Sequence, residues 1–320
     1  MKIIDRTKFN NKTTTYDVLE GLDIKGRKVL ITGGSSGLGT ETAFALASKG
    51  SHVIITARDM EKGREVVEEI KKSTKNELVE LYKLELDSLK SVREFANNLK
   101  EKHDSLDILI NNAGVMACPH SFTQDGFEMQ FGTNHLGHFL LTGLLVPILT
   151  KGKNPRIVNV SSARHQASGV DFDDLAFENR DYDKWLSYGQ AKTANILHCL
   201  GLEKRLSSKG IHAYSLHPGV IKTKLIRHLG EDDFEKINKL VIEGKLIRKN
   251  LQEGAATQIY AATAPELEGK GGLYLSDCQI MTVSDEIVGQ HALRSFAFDT
   301  ELAEKLWSVS ENMVGEKFNF

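Results

Sequence analysis

Tyr188 and Lys192, in the run Tyr188-Gly-Gln-Ala-Lys192, stand four residues apart, so on a helix they share one face, a turn from each other. A phenol beside an ammonium can hand a proton to a reacting oxygen or take one from it. That work requires the phenol's pKa to fall from about 10 toward 7, roughly 4 kcal/mol of preference for phenolate. A solvent-exposed pair at this spacing supplies only about 0.2–0.5 kcal/mol. Lys192 would therefore act mainly in a site that cofactor and substrate close against water. Ser187 with Gln190 three residues on reads as a capping box; this puts Tyr188 in the first helical turn, where the dipole favours phenolate. One Tyr-x-x-x-Lys pair is expected by chance among seven tyrosines, so its weight comes from its place in the chain.

A second constellation binds rather than reacts. Thr32-Gly33-Gly34-Ser35-Ser36-Gly37-Leu38-Gly39 follows the β-branched run Lys28–Thr32 and opens an amphipathic stretch. Glycines there permit a tight turn and close backbone approach, and the helix that follows offers free N–H groups to a pyrophosphate. The next β-branched run ends Thr56-Ala57-Arg58-Asp59. An acid at this place receives a ribose 2′-hydroxyl and a cation receives a 2′-phosphate. Ala57 leaves the acid's place empty and Arg58 offers several fixed donors, which favours NADP(H); Asp59 keeps NAD(H) as the lesser alternative.

The elements that must position these residues are readable from periodicity. Seven runs (KVLIT, HVIIT, ELVELYKLEL, DILINNA, RIVNVSS, IHAYSLH and GGLYLSD) have strand character. Helical stretches alternate with them, among them 39–49, 62–72, 89–102 and 188–208. That alternation predicts βαβ units and an α/β fold, a doubly wound Rossmann-type sheet of seven largely parallel strands. The chain reads as one dinucleotide-binding domain over 1–320, with an N-terminal extension at 1–21. Residues 221–250 follow the sixth strand and are too long for an ordinary connection, so they read as a helical substrate cap. The cap sets Ile237, Leu240, Val241 and Ile247 against Lys236, Lys239, Lys245, Arg248 and Lys249, a pattern that would also suit a membrane surface.

Composition removes other classes. With 43 acidic and 41 basic residues the net charge is −2, which gives no basic excess for nucleic acid. Cys118, Cys199 and Cys278 are odd in number and far apart; they form no disulfide framework and point to a reducing, cytoplasmic setting. The most apolar run, 138–150, is about 13 residues with Pro147 inside, a buried helix rather than a membrane span. The N-terminus has no apolar signal core and reads as part of the mature protein. The charged run 61–72 carries Val66, Val67 and Ile70 at helical spacing and is a solvated helix. His135 and His138 with Cys118 and His120 have no third ligand at a defined place, so no metal is expected.

TGGSSGLG, Asn111-Asn112-Ala113-Gly114, Asn134, VNVSS ending at Ser162, Tyr188-x-x-x-Lys192, and Pro218-Gly219 with Thr223 stand in the order seen in short-chain dehydrogenases/reductases. The chain from about 22 to 312 resembles that superfamily. Within it, NNAGVMACP, HPGVIKT and LYLSDC resemble the retinol dehydrogenase and WW-domain oxidoreductase branch. The membrane anchor and the WW modules of some members of that branch are not seen here, and the amino-terminal run resembles anchorless relatives, some of them translocon-associated in plant organelles.

The resemblance implies roles residue by residue. Tyr188 is general acid in carbonyl reduction and general base in alcohol oxidation, and Lys192 lowers its pKa and binds the nicotinamide ribose. Ser162 hydrogen-bonds the reacting oxygen, and Asn134 holds a water in a proton relay behind Lys192. Asp87 meets the adenine; Asn112, Ala113 and Gly114 line the cofactor; Pro218, Gly219 and Thr223 fix the carboxamide. The implied activity is NADPH-dependent interconversion of a small apolar aldehyde or ketone with its alcohol. A regulatory or scaffold protein that binds NADP(H) with little turnover is the alternative. The resemblance also implies a homodimer or homotetramer paired through helices near 136–149 and 188–208. An apolar pocket is expected from Met116, Phe172, Leu175, Phe177, Trp185, Leu225, Ile226, Leu229 and Phe234.

Overall fold

The computed structural model describes residues 5–244, 246–286 and 291–320. The β-branched runs form β1 (Lys28–Ile31), β2 (His52–Ala57), β3 (Val79–Lys83), β4 (Ile108–Asn111), β5 (Arg156–Val160), β6 (His212–His217), β7 (Val220–Ile221), β8 (Arg248–Lys249), β9 (Leu273–Ser276) and β10 (Gln279–Ile280). The principal helices are α1 (Thr15–Leu19), α2 (Gly37–Ser48), α3 (Met60–Thr74), α4 (Leu89–Lys102), α5 (Met129–Phe131), α6 (Gly137–Leu149), α7 (Lys184–Leu206), α8 (Glu231–Ile242), α9 (Leu251–Thr263) and α10 (Thr300–Val314). One sheet runs β10-β9-β6-β5-β4-β1-β2-β3. All its pairings are parallel except β9 with β10. Chain order reverses on either side of β1, which opens a crevice at the C-terminal ends of β1 and β4, where such sheets bind ligands.

The sheet has eight strands, one more than the sequence predicts. The extra strand is a two-residue return, and Asp277 and Cys278 make its turn with φ of 51° and 58°. Both central residues of a type I′-like turn need positive φ, usually signalled by Asn-Gly or Asp-Gly; Asp-Cys carries no such signal. The seven expected strands are the seven parallel ones.

Helices bury both faces of the sheet, which is why its strands are almost continuously apolar. Val53, Ile55 and Ile31 pack with Leu46, Val67 and Ile259 on one face. Leu30, Ile54 and Leu109 pack with Phe95, Phe139 and Leu197 on the other. Helix α7 begins four residues before Tyr188, because Asp183 accepts from the Trp185 and Leu186 backbone N–H groups. The capping box at Ser187 and Gln190 does not form: Ser187 Oγ accepts from Gln130 Nε2 at 3.1 Å, and Gln190 bonds Asp171 N and Leu175 O. Tyr188 thus sits in the second turn, where the dipole has faded.

The helices expected to face another copy are covered by the chain's own C-terminus. Trp307 of α10 lies edge-on to Phe139 of α6 at 4.9 Å and close above Gly201 of α7. Phe318 fills the space beside Gly143. Among the described residues, no helix is long and apolar enough to cross a membrane.

Candidate active site

The loops after β1 to β6 open onto one cavity of about 1050 Å³. Gly33, Ser35, Ser36, Gly37 and Leu38 line it, as do Arg58, Asp87, Asn112, Ala113, Gly114, Pro218, Gly219 and Thr223. Gly39 does not reach the wall. A Cβ there would collide with the Gly33 carbonyl oxygen and press on Asn112 Nδ2, so its role is close helix–strand packing. Gly33 and Gly37 hold φ of 68° and 58°, and a Cβ on Gly33 would stand 2.9 Å from Ala113 Cβ. Ser36 caps α2 without a side-chain hydrogen bond, which leaves the N–H groups of the first turn free for an anion. This cradle fits a pyrophosphate.

At the end of β2, Arg58 is exposed and makes no hydrogen bond or ion pair among the described residues. Asp59 turns the other way, its Oδ1 capping α3 at Glu61 N and Lys62 N, 3.1 Å each. A free guanidinium beside an acid already engaged fits a phosphate better than a ribose hydroxyl.

Ser162, Tyr188 and Lys192 meet on one wall. Ser162 ends the segment after β5, and its Oγ accepts from Arg164 N at 3.1 Å. Its hydroxyl also favours the Tyr188 phenolate. Lys192 lies one turn on from Tyr188, with Nζ 5.5 Å from the phenol ring centroid, and donates to Val160 O at 2.9 Å. Burial raises the Tyr188 pKa, opposed by the Ser162 hydrogen bond and the Arg164 charge. Burial alone pushes Lys192 down to about 7. Among the protein's own groups, desolvation dominates both, and Lys192 is not among the causes that shift Tyr188.

Asn134 lies on a π-helical turn, Gly132–Leu136, and is fully buried behind Gly114. Its Oδ1 accepts from Val115 N at 2.8 Å and its Nδ2 donates to Val115 O at 2.9 Å. The side chain thus braces the loop after β4 and gives no surface to the cavity. A Cβ on Gly114 would stand 2.9 Å from Asn134 Oδ1 and 3.8 Å from Lys192 Nζ, so both approach the same glycine.

Other residues of the site have no role assigned by the sequence. Thr32 Oγ1 accepts from Asn112 N at 2.9 Å and Ala113 N at 3.0 Å, joining the two loops that line the cradle. His217 lines the cavity; its Nδ1 accepts from Ala163 N at 3.1 Å, and its buried Nε2 has no partner among the described residues. Arg164 also lines the cavity and stacks over Trp185 at 4.5 Å. His138 bonds Thr32 Oγ1 and Asn134 O, His135 bonds Ser310 Oγ, and His120 bonds Ala176 O.

Segment 221–250 lies over the cavity, its two ends joined by the β7–β8 pair. Of the nine apolar residues expected in the pocket, Met116, Trp185, Leu225 and Ile226 line it. Phe177 packs edge-on to Tyr182, Phe172 and Leu175 pack against the core, and Leu229 and Phe234 lie off the wall. Ile237, Leu240 and Leu246 supply apolar lining instead, with Arg227, Lys236 and Lys239 among them. Lys245 of the cap's basic face lies outside the described residues.

Residues 27–233 match the family model described as short chain dehydrogenase. Human retinol dehydrogenase 13 is 42% identical over 294 residues, covering 91% of this chain and 86% of that protein. Short-chain dehydrogenase TIC 32 B, chloroplastic, of Brassica napus is 39% identical, covering 96% and 94%. Among solved structures, an uncharacterized protein from Mycobacterium Paratuberculosis superposes with a TM-score of 0.73 at 34% identity, covering 95% of this chain and 98% of that one. The Pseudomonas aeruginosa RhlG/NADP active-site complex does so with a TM-score of 0.63 at 25% identity, covering 79% and 95%. The chain belongs to the short-chain dehydrogenases/reductases and is an oxidoreductase of that family. Within the family it stands in the retinol dehydrogenase branch.

Proposed function

We propose that the protein is an NADP(H)-dependent oxidoreductase that interconverts an apolar aldehyde or ketone and its alcohol, the whole chain acting as one dinucleotide-binding domain with 221–250 as its substrate cap. The observation that carries this reading is the meeting of Ser162, Tyr188 and Lys192 on the wall of the same cavity as the glycine cradle and Arg58. The nicotinamide supplies the hydride for reduction and accepts it for oxidation. Gly33, Ser35, Ser36, Gly37 and Leu38 hold the pyrophosphate against the start of α2. Arg58 takes the 2′-phosphate, Asp87 the adenine end, and Asn112, Ala113 and Gly114 the middle. Pro218, Gly219 and Thr223 hold the carboxamide.

Ser162 orients the substrate oxygen and Tyr188 gives it the phenolic proton in reduction, or removes the alcohol proton in oxidation. A phenol that burial keeps protonated is suited to donate. Lys192, charged or neutral according to pH near 7, replenishes the proton and holds the ribose. Asn134 braces the loop that separates it from the cavity. The mixed lining of the cap supports a substrate with an apolar body. A panel of carbonyls and alcohols followed by NADPH absorbance tests the reading: turnover should appear with NADPH on apolar carbonyls, and cofactor binding without turnover on any of them would favour a regulatory role.

A further inference from the structure

His52, Glu80 and His103 form a group apart from the cavity, and their ligand atoms all lie within 4.8 Å of one another. They stand 28 and 23 positions apart, so no spacing motif announces them. His52 is the first residue of β2, Glu80 the second of β3, and His103 caps the C-terminus of α4. Because β2 and β3 are parallel and their far ends lead to the cavity, the cluster lies at the opposite end of the sheet. Three packed elements hold it.

One imidazole faces each oxygen of the carboxylate. His52 Nε2 is 2.5 Å from Glu80 Oε1, and His103 Nε2 is 3.4 Å from Oε2. The Tyr82 hydroxyl donates to Glu80 Oε2 at 2.9 Å and lies 3.2 Å from His103 Nε2. Ligand atoms about 2.0–2.2 Å from a tetrahedral ion are separated by about 3.3 Å, so the His52–Glu80 contact would open by under about 1 Å and the His103 contact already fits. The Glu80 side chain is 35% exposed and that of His52 20%, which leaves a way in for the ion and room for water.

Two imidazoles with one carboxylate favour zinc over magnesium or calcium, which take oxygen ligands. Lys28 acts on His103, and Lys102 lies over the Tyr82 ring at 5.0 Å, so affinity should be moderate.

We propose that His52, Glu80 and His103 form a zinc site, completed by water, that fastens the start of β2 and β3 to the end of α4. The test is a zinc titration of the full-length, chelator-stripped protein without a histidine tag, in competition with a chromophoric chelator. One zinc per chain should bind, and His52→Ala, Glu80→Gln and His103→Ala should each weaken binding about 100-fold or more, no less than the loss of an outer partner usually costs. His212→Ala should not, although His212 pairs with Glu203 at 2.9 Å, because that pair has no second imidazole among the described residues. The three thiols are buried and should not compete. No binding, or binding that all three variants retain, would overturn the site. Should a variant fail to fold, crystals of the unchanged protein soaked in zinc decide: an anomalous peak within about 2.3 Å of the three ligand atoms supports the site, and its absence overturns it.

Discussion

The Asp233 carboxylate accepts a hydrogen bond from the Trp185 indole Nε1 at 3.1 Å, tying the cap to the first turn of the helix that carries Tyr188. The same carboxylate pairs with Lys184 Nζ at 2.5 Å and accepts from Gly230 N at 3.1 Å. Arg164 stacks over the Trp185 ring. The cap is therefore latched to the catalytic helix rather than only packed on the sheet.

Breaking that latch should act on substrate rather than cofactor. Asp233→Asn removes the ion pair with little change of shape, and a latch worth about 1 kcal/mol converts to a rise of about fivefold in the KM for the carbonyl. NADPH affinity should stay within about twofold. Burial would raise the Asp233 pKa, but bonds from Lys184, Gly230 and Trp185 hold it below 3.8. The latch is thus intact above the ordinary carboxylate range and loosens as pH falls through the depressed value. Stopped-flow binding and steady-state KM at pH 7 check this; a change confined to NADPH affinity would contradict it.

Arg58→Ala should raise the NADPH dissociation constant about ten- to hundredfold, the scale of a charge-assisted hydrogen bond of about 1.5–3 kcal/mol, and leave NADH almost unchanged. Fluorescence titration with both cofactors reads the difference. Equal affinities for NADPH and NADH in the unchanged protein would contradict the assignment.

Lys192 is buried and, among the described residues, its side chain makes one hydrogen bond, to Val160 O. Its pKa is about 7 in the folded chain against 10.5 ordinarily, so between those values the unfolded chain binds more protons. Stability therefore rises with pH through that window, and the burden of the buried ammonium is felt in full below about 7. Lys192→Met should remove turnover yet raise the Tm, by about 2–4 °C for each kcal/mol recovered, and by more at pH 6 than at pH 9. Calorimetry at the two pH values measures it; a lower Tm at both would contradict it.

The covering of α6 and α7 by Trp307 and Phe318 predicts that the protein does not pair through those helices. Light scattering should give the mass of a single chain. A stable dimer whose cross-links join α6 or α7 of two copies would show that the C-terminal segment moves aside.

The seven parallel strands were legible because each is an apolar run between helices of clear period, and a strand buried on both faces leaves that mark. The cradle from Gly33 to Gly39 was legible because positive φ at Gly33 and Gly37 and close approach at Gly39 require glycine. The start of α7 was misplaced: Ser187 and Gln190 look like a capping box, yet Asp183 caps the helix and the other two hold loops. Asp233 and His217 were not legible as site residues, and Trp185 only as apolar lining, since their placement depends on how 221–250 folds back, and no local pattern encodes that. Arg227, Lys236 and Lys239 line the cavity although a charged cap residue reads naturally as surface.

The central claim is that Tyr188 moves the proton while the cradle, Arg58 and Lys192 hold the cofactor. Tyr188→Phe keeps the ring and removes one hydroxyl, so NADPH binding and NADPH turnover on an apolar aldehyde, measured side by side, separate the two functions. The account predicts affinity within a few-fold of the unchanged protein and a loss of turnover of about 100-fold or more. Full turnover by the variant would contradict it.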